Sequence, residues 1–386
     1  MLNFDKKTNR FNTNSLKWDV KENELPMWVA DMDFNSPIEI IDAIIDRVNQ
    51  GCFGYNIIPT SWNESYINWW KRRHHFEMES DWLLFSTGIV PSISSIVRKM
   101  TYPAEKVVLL TPVYNIFFNS IYNNGRFIYE CPLEYKNHEY NIDFIRLEKA
   151  LSDPQTSLLI FCNPHNPIGK IWSKDELKKI GELCKKYNVL VISDEIHCDI
   201  TRPNTEYIPY QSVSEECKMN SITLISPTKT FNIAGLQTSA ISIPNPLIRH
   251  KVWRGINTDE IAEPNTFAIQ ASIAAFKCDY WVDSLREYVY ENRRIIKEFI
   301  EKNLSKLHLV NADATYLLWI DFSEITSNTK EFCDFLRNKT GLYITEGEEY
   351  GKTGESFVRV NVATQREKIY DFCNRFYEGY NLYINK

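Results

Sequence analysis

The sequence predicts an α/β fold, with a large domain built on a mainly parallel sheet and a smaller α+β domain. Strand and helix signals alternate between residues 107 and 226, a rhythm typical of βαβ units. Three of the strand-like runs are apolar and end in polar residues, as expected of buried parallel strands. The chain has 386 residues, 44% of them hydrophobic, which is enough for one large and one small core.

The first elements are predicted from helix start signals. Ser36 before Pro37 predicts an N-cap followed by proline at the first helical position. An amphipathic pattern predicts a second helix, and the turn residues 87–91 lead into a third. The helices expected here are residues 38–49, 61–75 and 92–100.

The alternating elements come next. The predicted strands are residues 107–111, 127–131, 157–162, 189–193 and 222–226. The helices expected between them are residues 114–123, 142–151 and 174–186. Residues 281–304 have the periodicity of a long helix. The elements after it form a group that contains no phosphate-type loop, and they predict the smaller α+β domain. That group comprises strands 315–322 and 357–362 and helices 330–339 and 365–380.

Three polar segments follow apolar runs, within residues 161–170, 189–199 and 222–237. Ligands of open α/β sheets bind beyond the carboxyl ends of the strands, so these segments are expected to form one site. In the last segment Lys229 lies next to Thr228 and close to Ser226. An amine that can bond to an aldehyde, beside hydroxyls that can donate to a phosphate, is the protein's part in pyridoxal phosphate (PLP) chemistry.

Together these motifs resemble a known family. Residues 27–34, 53–56, 163–170, 194–197 and 226–237 are similar to those of the class I/II aminotransferase superfamily, the fold-type I PLP enzymes, and to its cystathionine β-lyase, or C–S lyase, branch. The resemblance runs from about residue 25 to about residue 370. It implies an aspartate aminotransferase-like fold. A three-layer α/β/α PLP-binding domain is expected at residues 46–285, and a small domain at residues 1–45 with 286–386.

The resemblance also implies roles at the reacting end of the cofactor. Lys229 would bond to the cofactor aldehyde and later remove the Cα proton. Asp194 would pair with the protonated pyridine nitrogen, and alternation along the strand would turn Glu195 to the opposite face. Asn166 would donate to the ring oxygen and help to bind substrate. His197 stands where most aminotransferases of the family have tyrosine, and it is expected near the cofactor.

Further residues are expected around the phosphate, the ring and the substrate. The backbone amides of Gly88 and Ile89 would bind the phosphate at a helix N-terminus, aided by the hydroxyls of Ser226 and Thr228. Tyr114 would stack on the ring. By resemblance Tyr55 would reach the phosphate of the other subunit, which implies a homodimer with shared sites. Arg359 would hold the substrate α-carboxylate through its planar fork.

The expected activity is α,β-elimination of L-cystathionine or related S-substituted cysteines to pyruvate, ammonia and a thiol. Gln237 stands where aminotransferases usually have a phosphate-binding arginine, which favours the lyase branch. An aminotransferase on the same scaffold is the first alternative, because it would share every cofactor residue. A protein-binding regulator that retains a PLP site is the second.

Composition limits the other possibilities. The net charge of −6 and the lack of a long basic run argue against nucleic acid as a partner. The first residues lack the apolar core of a signal peptide, and no run of about twenty apolar residues could span a membrane. The nine cysteines form no Cys-x-x-Cys pair, so reduced thiols in a cytoplasmic protein and no metal site are expected.

Overall fold

The computed structural model describes residues 2–386 as twelve α-helices and fifteen β-strands. The helices are α1 (Ile38–Asn49), α2 (Thr60–His74), α3 (Ile89–Met100), α4 (Ile116–Tyr122), α5 (Phe144–Leu151), α6 (Lys174–Lys186), α7 (Glu215–Met219), α8 (Pro246–Thr258), α9 (Ala268–Ala275), α10 (Asp279–Asn303), α11 (Thr329–Thr340) and α12 (Arg366–Ile384). The strands are β1 (Leu25–Pro26), β2 (Leu83–Ser86), β3 (Lys106–Thr111), β4 (Phe127–Pro132), β5 (Glu134–Lys136), β6 (Glu139–Asn141), β7 (Thr156–Cys162), β8 (Leu190–Asp194), β9 (Ser221–Ile225), β10 (Ser239–Ser242), β11 (His308–Leu309), β12 (Leu317–Asp321), β13 (Leu342–Tyr343), β14 (Thr345–Glu346) and β15 (Phe357–Asn361). Within the described residues no helix is long and apolar enough to cross a membrane.

A seven-stranded sheet forms the centre of the larger part, in the order β2-β10-β9-β8-β7-β3-β4. The strands from β9 to β4 in that order are parallel, whereas β10 is antiparallel to both of its neighbours. The predicted α/β fold with a mainly parallel sheet is therefore confirmed. The sequence analysis missed β2 and β10, because strands of four residues carry too little periodicity to be recognised.

Each face of this sheet is covered by helices, which gives three layers. Alternate residues of β3 point to opposite faces. Val107 and Leu109 pack in one core with residues of α3, α4 and α8. Val108 and Leu110 pack in another core with residues of α5 and α6. Because both faces are buried, these strands consist of continuous apolar runs, which is why the sequence revealed them.

A second, antiparallel sheet has the order β11-β12-β15-β14. Strand β1 pairs in parallel with β13, so the start of the chain joins its last third. The helix α10 spans residue 285, where the large domain was predicted to end. The division into domains at residues 46 and 285 stays a prediction.

The start of α3 differs from the expected position in a way that affects the site. The helix begins at Ile89 rather than at residue 92, and Gly88 is its N-cap. Its first-turn amides therefore point out of the helix close to the end of β2. At α1, Ser36 makes no capping hydrogen bond, and Pro37 is the residue that precedes the helix.

Candidate active site

A cavity of about 220 Å³ opens at the carboxyl ends of β7, β8 and β9. The N-terminal turn of α3 closes one side of it, and the segment that contains Ala30 closes another. Eight of the predicted site residues line the cavity. They are Gly88, Ile89, Tyr114, Asn166, Asp194, His197, Thr228 and Lys229. Three distant parts of the sequence thus meet where neighbouring parallel strands end, as predicted.

Lys229 lies four residues beyond the end of β9, and its side chain lines the cavity. Its Nζ donates a hydrogen bond to the carbonyl oxygen of Ala30 at 2.7 Å. Burial lowers the pKa of Lys229, and the positive charge of Arg359 adds to this effect, while Asp31 and Asp194 oppose it. A lowered pKa leaves more of the amine unprotonated near neutral pH, as a nucleophile or a general base requires.

Asp194 is the last residue of β8 and is buried. Its Oδ1 accepts a hydrogen bond from the backbone N–H of Ile196 at 3.1 Å. Burial raises the pKa of Asp194 to about 7, against the smaller effects of that hydrogen bond and of Lys229. A cation placed against this carboxylate in the cavity would stabilise its charged form.

Glu195 points away from the cavity. Its Oε1 accepts hydrogen bonds from Ser193 Oγ at 2.8 Å and from the backbone N–H of Tyr210 at 3.0 Å. The cavity is lined by Asp194 and not by Glu195, in agreement with the alternation of side chains along the strand.

The N-terminus of α3 and Thr228 line one side of the cavity, and the free amides of a helix N-terminus favour an anion. Ser226 does not line the cavity. Its Oγ lies 2.7 Å from Thr228 Oγ1 and donates to the carbonyl oxygen of Thr238 at 2.7 Å. Ser226 therefore orients the hydroxyl that faces the cavity. Gln237 also lines it, in a left-handed conformation with φ of 50°.

Arg359 lies on β15 and is 5% exposed. Its Nη2 donates to the carbonyl oxygen of Trp28 at 2.8 Å, and Nη1 lies 3.4 Å from Asn166 Oδ1. Its Nε has no acceptor among residues 2–386. The contact with Asn166 places the guanidinium beside the cavity, and the unused donor capacity suits an anionic ligand.

His197 and Tyr114 bring two aromatic rings to the cavity. The imidazole is buried, and its Nδ1 has no hydrogen-bond partner in the described part of the chain. Burial, together with the charges of Lys229 and Arg359, lowers the pKa of His197 to about 3, so this imidazole is neutral at pH 7. Burial also raises the pKa of Tyr114, which keeps its hydroxyl protonated.

The family model for aminotransferase class I and II matches residues 24–376, which include all of these side chains. The chain belongs to that family. It is 38% identical over 382 residues to cystathionine beta-lyase PatB of Bacillus subtilis, and the match covers 97% of this chain and 98% of that protein. Its fold is similar to that of cystalysin from Treponema denticola, which contains pyridoxal 5'-phosphate, with a TM-score of 0.95, 34% identity and 99% of each chain covered. The PLP-bound C-S lyase of Staphylococcus hominis gives a TM-score of 0.91 at 31% identity, with 98% of each chain covered.

These similarities confirm the predicted superfamily and its C–S lyase branch. One predicted residue of the family site lies apart from the cavity of its own chain. Tyr55 is 100% exposed, in a segment between α1 and α2 that has no regular secondary structure. Its predicted contact with the other subunit stays a prediction.

The backbone carbonyls of residues 28–31 accept hydrogen bonds that the sequence did not indicate. Trp28 accepts from Arg359 and Ala30 accepts from Lys229. Asn361 Nδ2 donates to the carbonyl oxygens of Val29 at 2.6 Å and Asp31 at 2.7 Å. Asn361 lies two residues after Arg359 on the same strand, so both side chains point to the same face. That spacing is the signal that could have identified Asn361.

A buried ion-pair cluster holds the end of the same segment. Asp33 accepts hydrogen bonds from Trp18 Nε1 at 2.8 Å and Thr364 Oγ1 at 2.7 Å, and its Oδ2 lies 3.1 Å from Lys17 Nζ. Burial alone would raise the pKa of Asp33, but these partners and Lys368 lower it to about 2. The cluster therefore anchors the carbonyl that contacts Lys229.

His74, Cys198 and Asp199 form a group outside the cavity whose possible ligand atoms lie within 4.8 Å of one another. Asp199 accepts hydrogen bonds from Trp69 Nε1 at 2.9 Å and Thr230 Oγ1 at 3.0 Å, and it lies 2.9 Å from His74 Nε2. Burial raises the pKa of Cys198 well above its usual range, which keeps the thiol protonated. The protein therefore satisfies this carboxylate without an ion, and the absence of a metal site stays a prediction.

Proposed function

We propose that this protein is a PLP-dependent carbon–sulfur β-lyase. It cleaves L-cystathionine or a related S-substituted cysteine to pyruvate, ammonia and a thiol. The main support for the proposal is the cavity that Lys229 and Asp194 line together. Lys229 has a lowered pKa and Asp194 is a buried carboxylate. Arg359 lies beside the cavity with a donor, Nε, that has no acceptor among the described residues. The similarity to cystathionine beta-lyase PatB over nearly the full chain supports it.

The residues present fit the cofactor. Asp194 has a single backbone donor and a pKa raised by burial, so a protonated pyridine nitrogen would supply the missing positive partner. The N-terminus of α3 and Thr228 would hold the phosphate, Lys229 would bond to the aldehyde, and Asn166 would donate to the ring oxygen. When bound, PLP supplies an electron-withdrawing ring that stabilises negative charge at the substrate Cα.

The remaining steps belong to the protein side chains. Arg359 binds the substrate α-carboxylate with the donors that its contacts leave free. Lys229 takes the proton from Cα on its neutral amine. The Cβ–S bond then breaks, and the sulfur leaves as a thiol with the proton that Lys229 took from Cα. One water then hydrolyses the remaining unsaturated amino acid to pyruvate and ammonia. The imidazole of His197 is neutral, so the lowered pKa of Lys229 comes from burial and from the positive charge of Arg359.

The active unit is proposed to be a homodimer. The side chains of Ile38, Ile45 and Val48 on α1 are between 46% and 57% exposed, and the neighbouring Ile57 is 82% exposed. These residues and Tyr55 give one part of the surface an apolar character that favours burial against a second copy.

The nine free cysteines, eight of them buried, support a cytoplasmic location.

The deciding experiment uses the purified protein reconstituted with PLP. L-Cystathionine is added without any keto acid, and thiol and pyruvate are followed together. Equal release of both products is expected. Conversion that requires 2-oxoglutarate would instead identify an aminotransferase. A protein that neither binds PLP nor turns over would favour the regulatory alternative.

A further inference from the structure

The loop that follows β14 places acidic residues beside the proposed substrate arginine. Strand β14 pairs with β15 so that Thr345 lies opposite Arg359. The chain then continues through Glu346, Glu348 and Glu349 to Tyr350. The Arg359 guanidinium carbon lies 4.8 Å from the centre of the Tyr350 ring, which fixes this loop against the arginine.

Glu349 is also tied to the rim of the cavity. Asn115 Nδ2 donates to Glu349 Oε2 at 3.1 Å, and Asn115 directly follows the cavity residue Tyr114. The backbone N–H of Val113 donates to the carbonyl oxygen of Tyr350 at 2.9 Å, so the loop is held against the end of β3 at two points. Glu349 is close enough to Arg359 for their charges to interact.

The carboxylate of Glu349 has no cationic partner of its own. Within residues 2–386 neither Glu349 nor Glu346 forms a salt bridge, although Lys330 nearby is paired with Asp334 at 2.9 Å. Once a substrate α-carboxylate occupies Arg359, the negative charge of Glu349 is compensated only by its weaker interaction with Lys330. A positive charge on the far end of the substrate would then be favoured there.

We propose that Glu349 is a specificity-determining residue that selects S-substituted cysteines whose substituent ends in an ammonium group. The inference rests on the proposed lyase function and narrows its substrate class. L-Cystathionine meets the requirement only in part, because its distal carbon carries an ammonium and also a carboxylate. An S-alkyl cysteine with a neutral end does not, and a substituent that ends in a carboxylate is disfavoured.

The test compares two substrates of the same length. S-(2-aminoethyl)-L-cysteine ends in an ammonium, and S-propyl-L-cysteine has a methyl group in its place. For Glu349→Gln, kcat/KM for the aminoethyl substrate should fall about fivefold, the size of an interaction between partly exposed charges, while the propyl substrate is unchanged. Glu348→Gln is the matched control: both glutamates are exposed in the same turn, but only Glu349 accepts a hydrogen bond from Asn115, so the Glu348 change should leave both values unchanged.

A measurement of binding affinity tests the same proposal without depending on turnover. In Lys229→Ala protein loaded with PLP, calorimetry should show the same selective loss of affinity for the aminoethyl compound when Glu349→Gln is added. Equal effects on both compounds, or no effect in either assay, would overturn the assignment of Glu349. If the wild-type protein cleaves neither these compounds nor L-cystathionine, the lyase function itself fails.

Discussion

The substitution Asp33→Asn tests whether the buried ion-pair cluster holds the segment over the cavity. Asparagine keeps the shape of the side chain but removes the negative charge that faces Lys17, whose side chain is 0% exposed. Lowering the pKa of Asp33 from its ordinary 3.8 to about 2 corresponds to about 2 kcal/mol of folding free energy at pH 7. Lys368, 3.4 Å from Asp33, contributes to this lowering, although burial lowers the pKa of Lys368 itself. The lost charge also leaves Lys17 unpaired, so a total cost of about 3 kcal/mol is expected.

The effect has a defined pH dependence. The folded-state pKa of Asp33 is depressed, so its stabilisation is complete above the unfolded value of 3.8 and is lost as pH falls through about 2. In urea unfolding followed by tryptophan fluorescence, the difference between wild type and Asp33→Asn should therefore be largest at pH 5 to 7 and should shrink between pH 4 and pH 2.

Glu367→Gln is the control for this measurement. Glu367 pairs with Lys7 at 2.6 Å, but the two side chains are 70% and 77% exposed, so the change should cost less than about 0.5 kcal/mol. Two results would refute the reasoning. One is an Asp33→Asn variant that unfolds at the wild-type urea concentration at pH 7. The other is a difference that does not diminish in acid.

Three further predictions concern the site. Lys229→Ala should retain PLP noncovalently but lose at least about a thousandfold in kcat, and borohydride should fix a pyridoxyl group at position 229 in the wild-type protein but not in the variant; near wild-type turnover of the variant would contradict the assigned role. Arg359→Lys keeps the charge but loses the planar fork, so kcat/KM should fall about a hundredfold while the absorbance of bound PLP is unchanged, and a smaller loss than tenfold would argue against carboxylate binding. Tyr55→Ala and Lys229→Ala should each be inactive alone, yet mixed subunits should regain activity, because one site of each heterodimer would be intact; no recovery after verified subunit exchange would exclude sites shared through Tyr55.

These predictions distinguish two ways in which the protein controls the cavity. Lys229 and Asp194 provide reactive groups directly from the ends of β9 and β8. The segment around Ala30 acts on Lys229 through its backbone, because a carbonyl oxygen accepts from Nζ. Its position depends on Asp33, three residues away. A change at Asp33 should therefore alter both stability and the environment of the amine.

The sequence alone determined the parts of the site that are local. Lys229, Asp194 and Asn166 each follow an apolar run closely, and a run buried on both faces has few alternatives to a parallel strand of the central sheet. The carboxyl ends of such strands lie at one edge of the sheet, so the meeting of these residues follows from chain order and the βαβ rhythm. The start of α3 was misplaced by three residues, because residues 87–91 have the composition of a turn, whereas Pro91 is accommodated in the first turn of the helix.

The tertiary structure alone decided the contacts between distant segments. The bond from Lys229 to Ala30 joins residues 199 positions apart, and the contact between Arg359 and Asn166 spans 193 positions. The tertiary structure also decided the position of β10, which is antiparallel between β2 and β9, and the burial of Lys17 against Asp33. Local patterns record which residues favour burial or a strand end. They do not record which partner satisfies a buried charge or carbonyl, because that choice depends on how the packed elements bring remote polar groups together.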